Sequence, residues 1–255
     1  QILQGVGRLK YICNPKTTPM KNLFSTLFIA CFLVAFSPNS FAQTVDEVIA
    51  SHVAATGGAE NWKKLQSMKI TGHIEVQGIE IPFTQQALHN KGYRVDAEFQ
   101  GMQIIQITNQ TKSWEQMPFA GKTNLEPSSE DEHKQRVDQL DIQNEFVDWK
   151  EKGSSVELLG KDEEDGNEYF KVRLTTKTGN AAIHFIDTKT YLIYKTKRTA
   201  KMQGQEMEME TKLMDYKLLS VGVKVPHKTD QMGQVLVFDK VEANVAIPES
   251  TFDVK

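Results

Sequence analysis

The sequence predicts a mainly β domain of antiparallel strands with two helical insertions. From Met68 onward, apolar residues recur at every second position, the period of half-buried strands whose side chains alternate between faces. The links between these runs are short. Short links join antiparallel neighbours, because a parallel pair needs a crossover of roughly a dozen residues or more. Helical spacing is confined to two places, residues 44–65 and 127–149.

The first helix starts at Thr44, a capping residue, with Glu47 completing a capping-box pattern. Val45, Val48, Ile49, His52 and Val53 then recur at helical spacing. Gly57 and Gly58 end it, since glycine accepts the left-handed conformation of a helix stop. A second turn, 59–65, carries Trp62 and Leu65 on one side. In the first β segment, Ile70, Gly72, Ile74 and Val76 alternate with Lys69, Thr71, His73 and Glu75. Val95, Ala97 and Phe99 alternate with Arg94, Asp96 and Glu98, and Ile105, Ile107 and Trp114 follow. Gln77-Gly78, Asn90-Lys91-Gly92 and Gln100-Gly101 are the turns. A polar interruption runs from about 121 to 153. It opens with Pro127-Ser128-Ser129, a helix entry, and carries the loose apolar stripe Val137, Leu140, Ile142, Phe146, Val147 and Trp149. The second β segment holds Phe170, Val172 and Leu174, then Ile183 and Phe185, then 191–199. Met207, Met209, Thr211 and Leu213 oppose Glu206, Glu208, Glu210 and Lys212, and further strands run to Val245. Ten or eleven strands are expected, in one domain.

An export signal is expected ahead of this domain. Met20-Lys21-Asn22 is a short basic start, Leu23 to Phe36 is an apolar run of about fourteen residues, and Ser40-Phe41-Ala42 before Gln43 is a small-x-small cleavage site. The expected organisation is an upstream extension at 1–19, a signal peptide at 20–42 and a single domain at 43–255. A long basic-side leader is the alternative for 1–19, and a lipoprotein acylated on Cys31 is the alternative for the signal. Both cysteines, Cys13 and Cys31, lie before residue 43, so the domain has no disulfide framework and no thiolate metal site. A cysteine-free, Lys/Glu-rich domain behind a short signal points to a bacterial periplasm.

Residues 43–255 hold 26 basic and 33 acidic residues, a net charge of −7. That balance argues against binding nucleic acid or anionic lipid surfaces, where phosphate attraction dominates, and favours a soluble monomer. No two of the six histidines are spaced as local zinc ligands. A nucleophile elbow, a phosphate-binding loop and a dinucleotide fingerprint are absent from the sequence. The reading is therefore not an enzyme, with no cofactor and no metal. Met202, Met207, Met209, Met214 and Met232 cluster in the second β segment. Methionine suits surfaces that accept varied ligands, and it also fills ordinary cores; both readings stay open.

Several segments resemble the outer-membrane lipoprotein-sorting (LolA-like) family in its Bacteroidetes-type form. They are Thr56-Gly57-Gly58 followed by Trp62, Leu65 and Ile70-Thr71-Gly72; the run 186–195 with Asp187 and Tyr191-Leu192; Asp215-Tyr216-Lys217 with the run 221–226; and the ending 243–252. The resemblance implies a curved antiparallel sheet forming an unclosed barrel, with helices covering the concave face. It implies a periplasmic carrier that shields lipid acyl chains, those of outer-membrane lipoproteins. The implied partners are an inner-membrane ABC-type release complex and an outer-membrane acceptor. The groove candidates are Ile74, Val76, Val95, Phe99, Ile105, Ile107, Trp114, Phe170, Val172, Phe185, Met207, Met209 and Leu213. The candidates for a lid are Val137, Leu140, Phe146 and Trp149, and Arg94 is the candidate for the arginine of classical members. The alternative is an envelope-sensing or structural β domain of the same fold, with no transported ligand.

Overall fold

The computed structural model describes residues 43–254, apart from 203 and 204. The expected upstream extension and signal peptide lie outside the described residues. Six strands form a first wing: β1 Ser67–Val76, β2 Ile79–Leu88, β3 Gly92–Phe99, β4 Met102–Asn109, β5 Ser113–Met117 and β6 Lys122–Pro127. Seven form a second: β7 Ser155–Glu164, β8 Asn167–Thr175, β9 Ala181–Asp187, β10 Ile193–Met202, β11 Gln205–Leu218, β12 Lys224–Gln231 and β13 Gln234–Ala243. They make one 13-stranded sheet in the order β6-β5-β4-β3-β2-β1-β13-β12-β11-β10-β9-β8-β7. Every neighbouring pair is antiparallel, and β6 and β7 remain as edges, so the sheet does not close into a barrel. The strands beyond the expected ten or eleven include short or largely exposed ones such as β6, where no face is buried enough to write a period of two into the sequence.

Helix α1, Val45–Ala55, has the expected capping box: Glu47 N–H donates to Thr44 Oγ1, and Thr44 N–H donates to the Glu47 carboxylate. Its buried face is Val48, Ile49 and His52. Gly57 follows with φ +115°, and a Cβ there would lie 2.2 Å from the Gly222 carbonyl oxygen. Helix α2, Ala59–Lys63, turns Trp62 inward, where its Nε1–H donates to Thr56 Oγ1 at 3.1 Å. One core cluster joins Val48 and Ile49 to Phe146, Phe170, Val172, Leu174, Ile186 and Ile193. A second joins Trp62 and Leu65 to Val147, Leu219 and Val223. Both lie on the inner face of the second wing, so the helices cover that face.

The inserted segment differs from its expected form. Helix α3, Glu130–Arg136, is shorter than the apolar stripe suggested and ends in a 3-10 turn at Val137–Leu140. Residues 141–153 are not helical. Asn144 and Asp148 take positive φ, and the Asn144 side chain accepts the Phe146 N–H. A short polar side chain that serves its own backbone in this way competes with helix formation. Phe146 is consequently folded into the core, 2 % exposed, rather than riding on a continuous helix to Trp149.

Two expectations about stability follow. Gly57→Ala should lower the unfolding free energy by about 2 kcal/mol or more, because it adds a backbone clash to a left-handed conformation. Gly58→Ala has open space around the new methyl and should cost clearly less; urea titrations of the two variants compare them. His52 is 1 % exposed and its Nδ1–H donates to the Tyr191 carbonyl at 2.8 Å. Burial pushes its pKa down from 6.5 to about 4. Above the unfolded value both states are neutral and the contribution is complete. As pH falls, the unfolded chain takes up a proton that the folded one refuses. Stability should therefore be lost between about pH 6.5 and 4, by about 3 kcal/mol from this residue. Urea midpoints across that window should fall less steeply in His52→Gln.

Candidate functional site

A cavity of about 900 Å³ lies against the inner face of the sheet. Met68 and Ile70 of β1 and Phe238 of β13 form one side, and Leu174, Ile193 and Leu213 of the second wing form the other. Trp62 and Leu65 enter from the α2 region, and Val137, Leu140 and Ile142 enter from the insertion. The insertion runs across the cavity as a strap. On one side of the 3-10 turn, Asp138 Oδ2 accepts from Thr176 Oγ1 at 2.8 Å, Thr178 Oγ1 at 2.6 Å and Asn180 Nδ2 at 2.6 Å, all on the β8–β9 turn. On its other side, the Asn90 N–H donates to the Leu140 carbonyl at 2.7 Å, on the β2–β3 turn. Gln143 Nε2 ties the middle to the Leu65 carbonyl at 3.0 Å.

The walls are apolar, but charged groups stand among them. Lys152 Nζ meets Asp141 at 2.5 Å and donates to the Asn144 carbonyl. Arg198 lies 3.6 Å from Glu145, whose other carboxylate oxygen is 3.3 Å from His184 Nε2. His184 is fully buried beneath Phe146, edge to face at 4.9 Å, and burial pulls its pKa below the usual range against the pull of Glu145. Helix α3 is fixed by Glu115 of β5, which is bonded to both Lys122 and Arg136. Burial would raise the Glu115 carboxyl; the two hydrogen bonds outweigh it and hold its pKa below normal.

Cross-strand register divides the groove candidates between two faces. Leu213 lines the cavity, as do Val137 and Leu140. Ile74, Val76, Val95 and Phe99 share the cavity-bearing inner face of the first wing: Val95 is opposite Gln85, a cavity residue, and Gln85 is opposite Ile70. All four are half-buried. Met209 is opposite Arg198 on the inner face, and Met207 follows it there, 42 % exposed. Phe170 and Val172 are inner-facing too, but sealed in the core against Phe146 and α1. Trp149 packs at the rim of that core, beside a smaller recess of about 440 Å³ that Phe146 also lines. Ile105, Ile107 and Trp114 face the other way: Ile107 is opposite Trp114 and Ile105 opposite Gln116. Phe185 also faces outward, opposite Lys171 and under the Lys195 ammonium at 4.9 Å. Arg94 is outward as well, forked onto Asp96 and donating to the Thr251 carbonyl.

Met68, Ile70, Phe238 and Arg198 are cavity residues that the candidate set lacked. Register is the signal that finds them. In β4, Ile104, Ile105 and Ile107 put apolar side chains on both faces, so alternation alone does not choose between them. On the outer face, His73, Glu75 and Glu80 each offer one ligand atom within 4.8 Å of the others, with Asp239 bonded to His73 Nδ1. Glu75 and Glu80 meet only through strand pairing, which histidine spacing along the chain does not show.

No protein-family model matches the sequence, and no curated protein is similar to it. Solved structures are similar in fold. A LolA superfamily protein from Nitrosomonas europaea is 12 % identical with a TM-score of 0.53, over 84 % of this chain and 99 % of that one. A DUF1329 family protein from Desulfovibrio piger is 10 % identical with a TM-score of 0.54, over 83 % of this chain and 98 % of that one. A putative outer membrane lipoprotein-sorting protein domain from Vibrio parahaemolyticus is 11 % identical with a TM-score of 0.51, over 81 % and 95 %. Among the described residues no helix is long and apolar enough to cross a membrane. The chain has a LolA-like fold, a large antiparallel sheet left open with helices against its inner face.

Proposed function

We propose that this chain is a periplasmic carrier that shields lipid acyl chains, those of outer-membrane lipoproteins, along the inner face of its first wing. It receives them from an inner-membrane ABC-type release complex and passes them to an outer-membrane acceptor. The observation that carries the reading is an asymmetry. The inner face of the second wing is filled by α1, α2 and Phe146, while Ile74, Val76, Ile81, Val95 and Phe99 of the first wing stay half-buried on the same face as a cavity of about 900 Å³, beyond the residues that line it. That volume falls in the range of small-molecule sites, about 300–1,000 Å³. Each methylene moved from water to such a surface contributes about 0.8 kcal/mol, so a chain of ~16 carbons favours it by roughly 13 kcal/mol. A carrier has to match the membrane it takes cargo from, and a groove open along one side does so while still releasing. The strap offers the cover. The sensing or structural reading is favoured by one feature, the sealing of Phe170 and Val172 into the core.

On this reading residues 43–255 are the mature carrier domain, behind a signal peptide at 20–42 and an upstream extension at 1–19. Intact mass of the protein purified from the periplasm should then place the N-terminus at Gln43; a diacylglyceryl mass on Cys31 would replace the soluble carrier by an anchored one.

A fluorescent fatty acid should bind the wild-type protein. Ile74→Asp with Val95→Asp should weaken it at least tenfold. Ile105→Asp, on the opposite face, should change it less than twofold; thermal melts confirm that each variant folds. Asp138→Ala, which removes the acceptor of three strap bonds, should speed release of the probe. Absence of acyl binding by the wild-type protein would leave the ligand-free β domain as the reading.

A further inference from the structure

Among the described residues six large apolar side chains are strongly exposed, and five of them lie at one rim of the sheet. They are Ile79 at 45 %, Met117 at 41 %, Phe119 at 60 %, Met207 at 42 % and Met232 at 68 %; Leu218 is the sixth, near the opposite rim. The five stand at or beside the turns that end β1, β3, β5 and β12 and near the start of β11. Antiparallel pairing brings all of these to the same edge. The four turns beside these side chains have no charged residue within the loop itself. They are Gln77-Gly78, Gln100-Gly101, Pro118-Phe119-Ala120-Gly121 and Met232-Gly233. Of the neighbouring charges, Glu80, Glu98 and Asp230 point to the outer face, where Asp230 accepts the Gly233 N–H, and Lys122 is paired with Glu115. At the opposite rim the turns carry Lys91, Lys112, Asp165 and Lys189, and the uncharged turn 219–223 is buried beneath α2. The β8–β9 turn, with Lys177, is the charged exception at the apolar rim, and it is the one that holds the strap.

We infer that this rim docks on a lipid bilayer, with Ile79, Met117, Phe119, Met207 and Met232 seated at the boundary between headgroups and acyl chains. The occupant follows from the shape and charge of the row. It runs from β5 to β11, seven strand spacings or about 34 Å along the curved sheet, yet it is only about one side chain deep. A protein partner would call for a broad patch with a polar border. A bilayer interface accepts a shallow apolar edge of about 5–10 Å and penalises charge within it. The net charge of −7 over 43–255 and the uncharged turns both point to a zwitterionic surface, without attraction to anionic lipid. The rim is also the end of the inner face. Phe119 lies 5.7 Å from Phe99, ring to ring, and Ile79 is opposite Val76. Apolar surface is therefore continuous from bilayer to groove. The purpose of the contact rests on the carrier reading; the contact itself does not.

Flotation with phosphatidylcholine vesicles tests it, using the cargo-free full domain. The wild-type protein should float with the vesicles, equally in low and high salt. Phe119→Asp with Met232→Asp changes two side chains that are already mostly in solvent, so folding should survive, and flotation should fall at least tenfold. The same double variant should keep acyl-probe binding in the absence of vesicles, which separates the rim from the groove. Three results would overturn the inference: no flotation of the wild type, binding only to anionic vesicles and lost in salt, or unchanged flotation of the double variant. Self-association of the wild type that the double variant abolishes, without vesicle binding, would reassign the rim as an interface between copies of the chain.

Discussion

The pairing of β1 with β13 holds the two wings together. It joins the first strand of the domain to the last, and it is regular from Met68 to Thr71 and again from Gly72 to Glu75, with one irregularity between. Gly72 sits at that point. A Cβ there would lie 2.0 Å from the Val237 carbonyl oxygen and within 3.1 Å of the Phe83 ring. The irregularity lets Phe238 face inward against Phe83, ring to ring at 6.1 Å, where an unbroken ladder would have turned it out. Wing order, the side on which the helices sit and the wall of the cavity all follow from this one central ladder.

The outer face of the second wing fixes the register that the inner face needs. Lys195, 7 % exposed, is bonded to Glu164 and Glu210, and Lys197 to Glu208. Exposed ion pairs each contribute little, typically below about 1 kcal/mol. Their joint effect is on alignment. Slipping β11 by one residue would turn Glu208 and Glu210 inward and Leu213 outward, at several kcal/mol per unpaired carboxylate. Methionine-bearing positions are held on the inner side by the cost of burying their neighbours.

Much of this was legible in the sequence, and the losses have definite causes. The capping box at Thr44, the helix entry at Ser129 and the glycine stop after α1 are local chemistry, and they appear where the spacing places them. Alternation placed Met209 and Leu213 on one face because their neighbours are glutamate and lysine. It did not separate Ile104 from Ile105, or Phe185 from Ile186, because both parities there are apolar and only the partner strand decides. The strap escaped for a different reason. Its apolar stripe reads as one helix, but Asn144 turns the backbone with its own side chain, and no period records that. His184, Glu145 and Arg198 meet from three separate segments, a distance that spacing along one chain does not carry.

The strap is tied to the two wings by different chemistry. On the β8–β9 side one carboxylate oxygen takes three donors, all neutral hydroxyls or amide. On the β2–β3 side a single backbone bond joins Asn90 to Leu140, with His89 3.7 Å from Asp141. Hydrogen bonds to a charged acceptor contribute about 1.5–3 kcal/mol each, against about 1 for a neutral pair. Charged groups anchor both sides, because Arg136, two residues before Asp138, is bonded to Glu115 of β5. The strap runs from the first wing to the β8–β9 turn of the second and works as a tie-rod between them.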